Sequence, residues 1–189
     1  MIEVEVRGHL TDAKLKKLTT HLTKEGALVE TQDREMILLY DYPGYSDDPI
    51  VRECDIRLRN TNGNCEIMVK HKSGEHNVAR KETSLKLHGS DLTVAKDILK
   101  ALGFSKGLWM HRKKEVYKYR DIEWSIVNVP HGLSYFEAEQ EAANAGDTEK
   151  IREHLTREAG KLGFAVMNPT EMKMFIEKLD KTVNKEIVW

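Results

Sequence analysis

Two glutamate pairs stand near opposite ends of the chain, Glu3 and Glu5 in IEVEVR and Glu137 and Glu139 in YFEAE. Each pair has one residue between its members. In an extended strand, residues i and i+2 project from the same face, so each pair presents two parallel carboxylates. Such a clamp suits a hard divalent cation, Mg²⁺ or Mn²⁺, which prefers oxygen ligands. Between the pairs lie basic residues at the same spacing: Arg57 and Arg59 in DIRLRN, Lys70 and Lys72 in MVKHK, Arg112 and Lys114 in HRKKE. Arg80 and Glu82 share one parity of VARKETSLKL, and Arg7 continues the parity of Glu3 and Glu5. Arginine forks bind phosphate oxygens bidentately, and lysines add point charges. In any one strand, alternating charge describes a wet sheet face, where opposite charges across strands contribute roughly 0.2–1 kcal/mol each. The same alternation from strand to strand, with few Ser, Thr or Gln mixed in, describes charged faces turned toward a shared interior.

The elements that must position these residues are also legible. Residues 2–9 alternate as a strand, and Thr11 caps a helix carrying Leu15, Leu18 and Leu22 that Gly26 stops. Residues 28–40 are strand-rich, and 41–53 (DYPGYSDDPIVRE) read as a loop. Asn62-Gly63 is a strong hairpin signal. With those residues as the turn, Asn60 faces Cys65, Arg59 faces Glu66, Leu58 faces Ile67, Arg57 faces Met68, Ile56 faces Val69 and Asp55 faces Lys70. Ile56, Leu58, Ile67 and Val69 then share one face, and the charged residues share the other. A strand follows over 78–87. Ser90 is placed to cap a helix with Val94, Ala95, Ile98, Leu99 and Leu102 as its apolar stripe. Three strands are expected around 108–118, 121–128 and 134–142. Asp147 opens a helix with Ile151, Leu155, Ala159 and Leu162, and Asn168-Pro169-Thr170-Glu171 reads as a capping box for a last helix over 169–181. The phrases ALGF and KLGF, each ending a helix, hint at two related halves.

Composition bounds the rest. The 189 residues carry a net charge of −1 with 32% charged, unlike the basic balance of a general nucleic-acid binder. The chain suits one domain over 1–189, with no apolar run long enough to cross a membrane and no leader pattern. Two cysteines without a metal or disulfide spacing point to the cytoplasm. Neither a P-loop, a dinucleotide fingerprint nor a zinc-type histidine spacing occurs.

In their order, these motifs resemble the CYTH superfamily, the triphosphate tunnel metalloenzymes. IEVEVR is similar to the family's E-x-E-x-K signature, and DIRLRN, MVKHK, RKE, RKKEVY and YFEAE resemble its later strands, from residue 2 to about 140. The resemblance implies an α+β fold: an eight-stranded antiparallel closed β-barrel, a tunnel with a charged lumen and flanking helices. It implies metal binding by Glu3, Glu5, Glu137 and Glu139, and a catalytic set of Glu3, Glu5, Arg7 and Glu82. Phosphate binding falls to Arg57, Arg59, Lys70, Lys72, Arg80, Arg112 and Lys114. The implied activity is hydrolysis of tripolyphosphate, thiamine triphosphate or ATP with Mg²⁺ or Mn²⁺. The alternatives are a class IV adenylyl cyclase and a catalytically impaired triphosphate-binding protein; a homodimer fits the family. Two positions depart from its pattern: Arg7 stands where the family has lysine, and Val127 where it has an acidic residue.

Overall fold

The computed structural model describes residues 2–42, 45–48, 52–72, 79–89 and 92–189. In chain order the elements are β1 (Ile2–His9), α1 (Asp12–Glu25), β2 (Ala27–Leu39), β3 (Cys54–Thr61), β4 (Asn64–Lys72), β5 (Ala79–Lys86), α2 (Thr93–Ala101), β6 (Lys106–Tyr119), β7 (Ile122–Asn128), β8 (Tyr135–Ala142), α3 (Thr148–Lys161), α4 (Pro169–Thr182) and β9 (Lys185–Val188). The strands pair antiparallel in the order β2-β3-β4-β5-β1-β8-β7-β6, and β6 returns to β2, closing a ring of eight. Closure is uneven. The β2–β6 ladder runs from Ala27↔Lys118 to Leu39↔Gly107, whereas β1 and β5 meet over only Ile2↔Lys81, Glu3↔Arg80 and Val4↔Ala79. The ninth strand was not expected. β9 pairs with Lys106–Trp109 of β6, the part of that edge which β7, bound at Lys113–Tyr119, leaves bare.

The β3–β4 hairpin has the anticipated register, pair for pair, from Asp55↔Lys70 to Asn60↔Cys65. Its turn needs positive φ at both central residues, and Asn62 (51°) and Gly63 (85°) supply it. Asparagine and glycine tolerate that region because the first can bond its own backbone surroundings and the second has no Cβ.

Helices cover the outside of the ring. Leu18 and Leu22 of α1 and Leu155 and Ala159 of α3 pack on Val4, Val6, Trp124 and Phe136 of the wall. α2 buries Ala95 and Leu99 against Leu58, Ile37 and Leu39. Only two of the five residues of its expected stripe are buried: Val94 and Ile98 of the helix and Leu102 just after it are exposed. Ser90 lies outside the described residues, and the helix begins after Leu92 without a side-chain cap. Asp147 stands at the N-cap position of α3, as expected, but its side chain makes no capping hydrogen bond; Asn144 caps a short 3₁₀ turn that leads into the helix, accepting from Gly146 N and donating Nδ2 to Asp147 at 2.7 Å. Asn168 and Glu171 do form the capping box of α4. ALGF and KLGF share one helix-ending motif. Gly103 (97°) and Gly163 (86°) take positive φ, and the following Phe N–H reaches back to Leu99 O (3.1 Å) and Ala159 O (3.0 Å). Local capping therefore accounts for their likeness without any repeat of halves. Trp189 docks, donating Nε1 to Phe104 O at 2.9 Å.

Candidate active site

Register decides which charges meet. Glu3, Glu5 and Arg7 of β1 face Glu141, Glu139 and Glu137 of β8, and Glu139 and Glu137 face Glu123 and Ser125 of β7. Side chains opposite each other across a ladder share a face, so Glu5, Glu139 and Glu123 form a row of three neighbouring carboxylates. Such a row is destabilising by itself. One carboxylate oxygen from each of Glu3, Glu5 and Glu139 lies within 4.8 Å of the others. Burial raises the Glu139 pKa well above its usual range, and the Glu5 and Glu137 charges raise it further. Among the described residues, no cation forms an ion pair with Glu139.

Glu137, expected beside this trio, is otherwise engaged. Its Oε1 accepts from Arg7 Nη2 at 2.9 Å and its Oε2 from Lys114 Nζ at 2.5 Å. Burial alone would raise its pKa; Lys114 and Arg7 overrule that and hold it well below the carboxylate range. Arg7 also pairs with Glu5 and lies over the Tyr135 ring. Burial opposes its charge, yet Glu5 and Glu137 push its pKa up. Lys70 donates to Glu3 Oε1 at 3.1 Å and pairs with Glu82. Arg57 binds Asp55 at 2.6 Å, and Arg59 grips Glu66 Oε1 through Nε (2.7 Å) and Nη2 (2.6 Å). Lys72 and Arg80 occupy facing register positions on β4 and β5, and their side chains lie outside the described part.

The opposite wall carries the reverse imbalance. Arg34 of β2 and Arg112 of β6 are direct partners in the ladder. Neither forms an ion pair with a carboxylate among the described residues. Arg34 donates Nη2 to Gln32 Oε1 at 2.6 Å, and its Nε is buried with no hydrogen-bond partner. Burial, together with the Arg59 and Arg57 charges, lowers its pKa. Arg112, 4% exposed, donates to His111 O (2.8 Å) and Asn184 Oδ1 (2.5 Å). The Nε of Arg57 is likewise buried and unpartnered. One cavity of about 760 Å³ joins this basic wall to the carboxylate trio, and Met172, Ile176 and Leu179 of α4 border it.

Sequence reading missed two of these groups. Arg34 stands in QDREMILL, where Met36 and Leu38 on its own parity hide a charged face. Glu123 shares its parity in DIEWSIV with Asp121, but the parity then turns to Ser125 and Val127. Val127, where the family carries an acid, is fully buried with Tyr135, Phe175 and Leu179 under α4. A carboxylate there would sit in an apolar plug, whereas Glu123, four residues earlier on the same face, reaches the cavity.

A ring of antiparallel strands around a charged lumen defines the class: an α+β tunnel. The chain is 30% identical over 160 residues to a Methanocaldococcus jannaschii protein named as a candidate adenylate cyclase, covering 82% of this chain and 86% of that one. A Pyrococcus horikoshii structure shares the fold with a TM-score of 0.76 at 17% identity, covering 93% of this chain and 99% of its own. A Hippeastrum structure matches with a TM-score of 0.59 at 11% identity, covering 94% and 95%. That protein is described as a candidate adenylyl cyclase with a dominant triphosphatase activity. No family model matches the chain. The chain belongs to the CYTH superfamily. No described helix is long and apolar enough to cross a membrane.

Proposed function

We propose that the tunnel hydrolyses a triphosphate with the help of Mg²⁺ or Mn²⁺. The observation that carries this reading is the split of charge across one cavity. Among the described residues Arg34 and Arg112 face each other with no carboxylate paired to either, and where Glu3, Glu5 and Glu139 converge, Lys70 pairs with Glu3 and Arg7 with Glu5 while Glu139 has no cation. A metal–triphosphate complex carries the complementary charges in one ligand. The trio fits a hard cation by its donor type and by its mutual spacing within 4.8 Å. When bound, such a cation neutralises charge on the reacting phosphoryl group.

In this reading Arg34, Arg57, Arg59 and Arg112 hold the phosphate oxygens, and Lys70, Lys72, Arg80 and Lys114 add positive field. Arg7 and Lys114 position Glu137. Glu82 orients Lys70 at the edge of the trio. Water attacks the terminal phosphorus, the bond to the bridging oxygen breaks, and the basic wall stabilises the anion that leaves. Neither Cys54 nor Cys65 is in a disulfide among the described residues, which suits a cytoplasmic protein. The test is hydrolysis of tripolyphosphate, ATP and thiamine triphosphate with Mg²⁺ or Mn²⁺, comparing wild type with Glu3→Gln/Glu5→Gln. Phosphate release that survives the double substitution places the reaction elsewhere.

The resemblance to a protein named as a candidate adenylate cyclase favours a second reading, attack by a ribose hydroxyl on the α-phosphorus of ATP. Cyclic AMP and pyrophosphate as products, in place of phosphate and ADP, decide for it. A binding-only tunnel is the third reading, motivated by Val127 within the apolar plug; saturable triphosphate binding without any product decides for that one.

A further inference from the structure

Two lumen cations are held differently from their neighbours. Arg7, Arg57, Arg59, Lys70 and Lys114 each pair with a carboxylate. Arg34 and Arg112, direct partners in the β2–β6 ladder, are each held by the oxygen of a neutral amide. Gln32 Oε1 accepts Arg34 Nη2 at 2.6 Å, and Asn184 Oδ1 accepts Arg112 Nη2 at 2.5 Å. A carboxylate stands behind each amide. Gln32 Nε2 donates to Glu30 Oε2 at 2.7 Å, and Asn184 Nδ2 donates to Asp180 Oδ1 at 2.6 Å. The two relays thus share one order (carboxylate, amide, arginine), although different elements build them. Glu30 is tied in turn to the hairpin turn, since its Oε1 accepts Asn62 Nδ2 at 3.3 Å. Asn184 is fixed from both sides: its N–H reaches back to Leu179 O of α4 at 3.0 Å, and β9 starts at the next residue.

An amide in this place does what a carboxylate could not. Its oxygen fixes the guanidinium fork through one N–H, and its lack of net charge leaves the arginine unneutralised. The carboxylate behind it aligns the amide dipole, because hydrogen bonds in a chain polarise one another. Like charges directly opposite across a ladder are destabilising, and burial opposes the Arg34 charge further. A ligand-free fold would be better served by acids at positions 32 and 184. Such acids would also quench the positive charge that an anion needs to meet. The remaining N–H groups of both forks, the buried Arg34 Nε among them, are donors for that anion.

We propose that Gln32 and Asn184 are positioning residues: they aim the Arg34 and Arg112 forks at one phosphate group and leave both charges available to it. The inference rests on the triphosphate reading above. The test is calorimetric titration of the full chain in Mg²⁺ with tripolyphosphate and with ATP, following whichever binds the wild type. Gln32→Glu and Asn184→Asp keep an acceptor oxygen in place and add a charge. Gln32→Ala and Asn184→Ala remove the oxygen and add none. Each acid variant is expected to weaken binding about tenfold or more, and its alanine counterpart by less. A purely structural role for the amides gives the reverse order, since the acids would grip the arginines at least as firmly. That reverse order, or binding unchanged in all four variants, overturns the proposal. The melting temperature of each ligand-free variant shows that it is folded; if the Asn184 pair does not fold, the Gln32 pair decides. A wild type that binds neither compound overturns the triphosphate reading itself, and the proposal with it.

Discussion

Glu139→Gln is expected to stabilise the metal-free protein and to abolish its stabilisation by Mg²⁺. The Glu3, Glu5 and Glu139 oxygens lie within 4.8 Å of one another. At an effective dielectric of about 20, two full charges at that separation repel by about 3.5 kcal/mol. A proton on Glu139 relieves much of this, which is the physical content of its raised pKa. The sign follows from linkage. Glu139 binds its proton more tightly folded than unfolded, so its contribution is fully present below the unfolded value of about 4.5 and is lost as pH rises through the folded value. Well above the unfolded value the wild type bears either that repulsion or the cost of keeping the proton, and the substitution removes both, worth about 1–2 kcal/mol after screening and relaxation. For a chain of this length that is about 2–8 °C in Tm. Free Mg²⁺ at a hundredfold its Kd stabilises the wild type by about 2.7 kcal/mol, or about 5–11 °C. The glutamine variant is expected to gain almost none of that. Differential scanning calorimetry at pH 5 and pH 8, each with EDTA and with Mg²⁺, measures all four quantities. A variant that melts lower than wild type in EDTA at pH 8, or that keeps the full Mg²⁺ response, refutes the reasoning.

Glu137 titrates in the opposite sense. Its folded pKa is depressed, so its contribution holds above about pH 4.5 and disappears as pH falls toward the folded value. Glu137→Gln strands Arg7 and Lys114 and is expected to cost about 3–5 kcal/mol at pH 7, read by urea unfolding; the cost should shrink on acidification, and a pH-independent loss would contradict the pairing. Gly8→Ala places a Cβ 2.2 Å from Ala165 O and from Phe136 Cε1, so β1 must move; about 1–3 kcal/mol is expected in the same assay. Gly63→Val forces a β-branched residue to φ 85° and is expected to lose about 1–3 kcal/mol, and an unchanged midpoint would argue against the hairpin turn.

Much of the tunnel is written locally. Strict alternation in IEVEVR, the turn chemistry of Asn62-Gly63 and the capping box at Asn168 each depend on neighbours in sequence, and each takes the anticipated form. Side-chain parity in a strand is a local property too, which is why Glu5, Arg57, Arg59 and Lys114 all reach one lumen. The burial of α2 was not legible, because its stripe gives no sign that only Ala95 and Leu99 meet the wall. Nor was β9, whose place exists only where β7 leaves the edge of β6 bare.

The sequence alone determined which residues share a face. It could not determine which of those faces stand opposite, since the β1–β8 ladder joins residues more than a hundred apart and the β2–β6 ladder joins residues 68 to 91 apart. That tertiary choice sets Arg34 against Arg112, and Glu139 between Glu5 and Glu123. It also engages Glu137 with Arg7 and Lys114, which arrive from two other strands. The excess positive and negative charge that the cavity leaves for a ligand is therefore a property of the closed ring, and no single strand carries it.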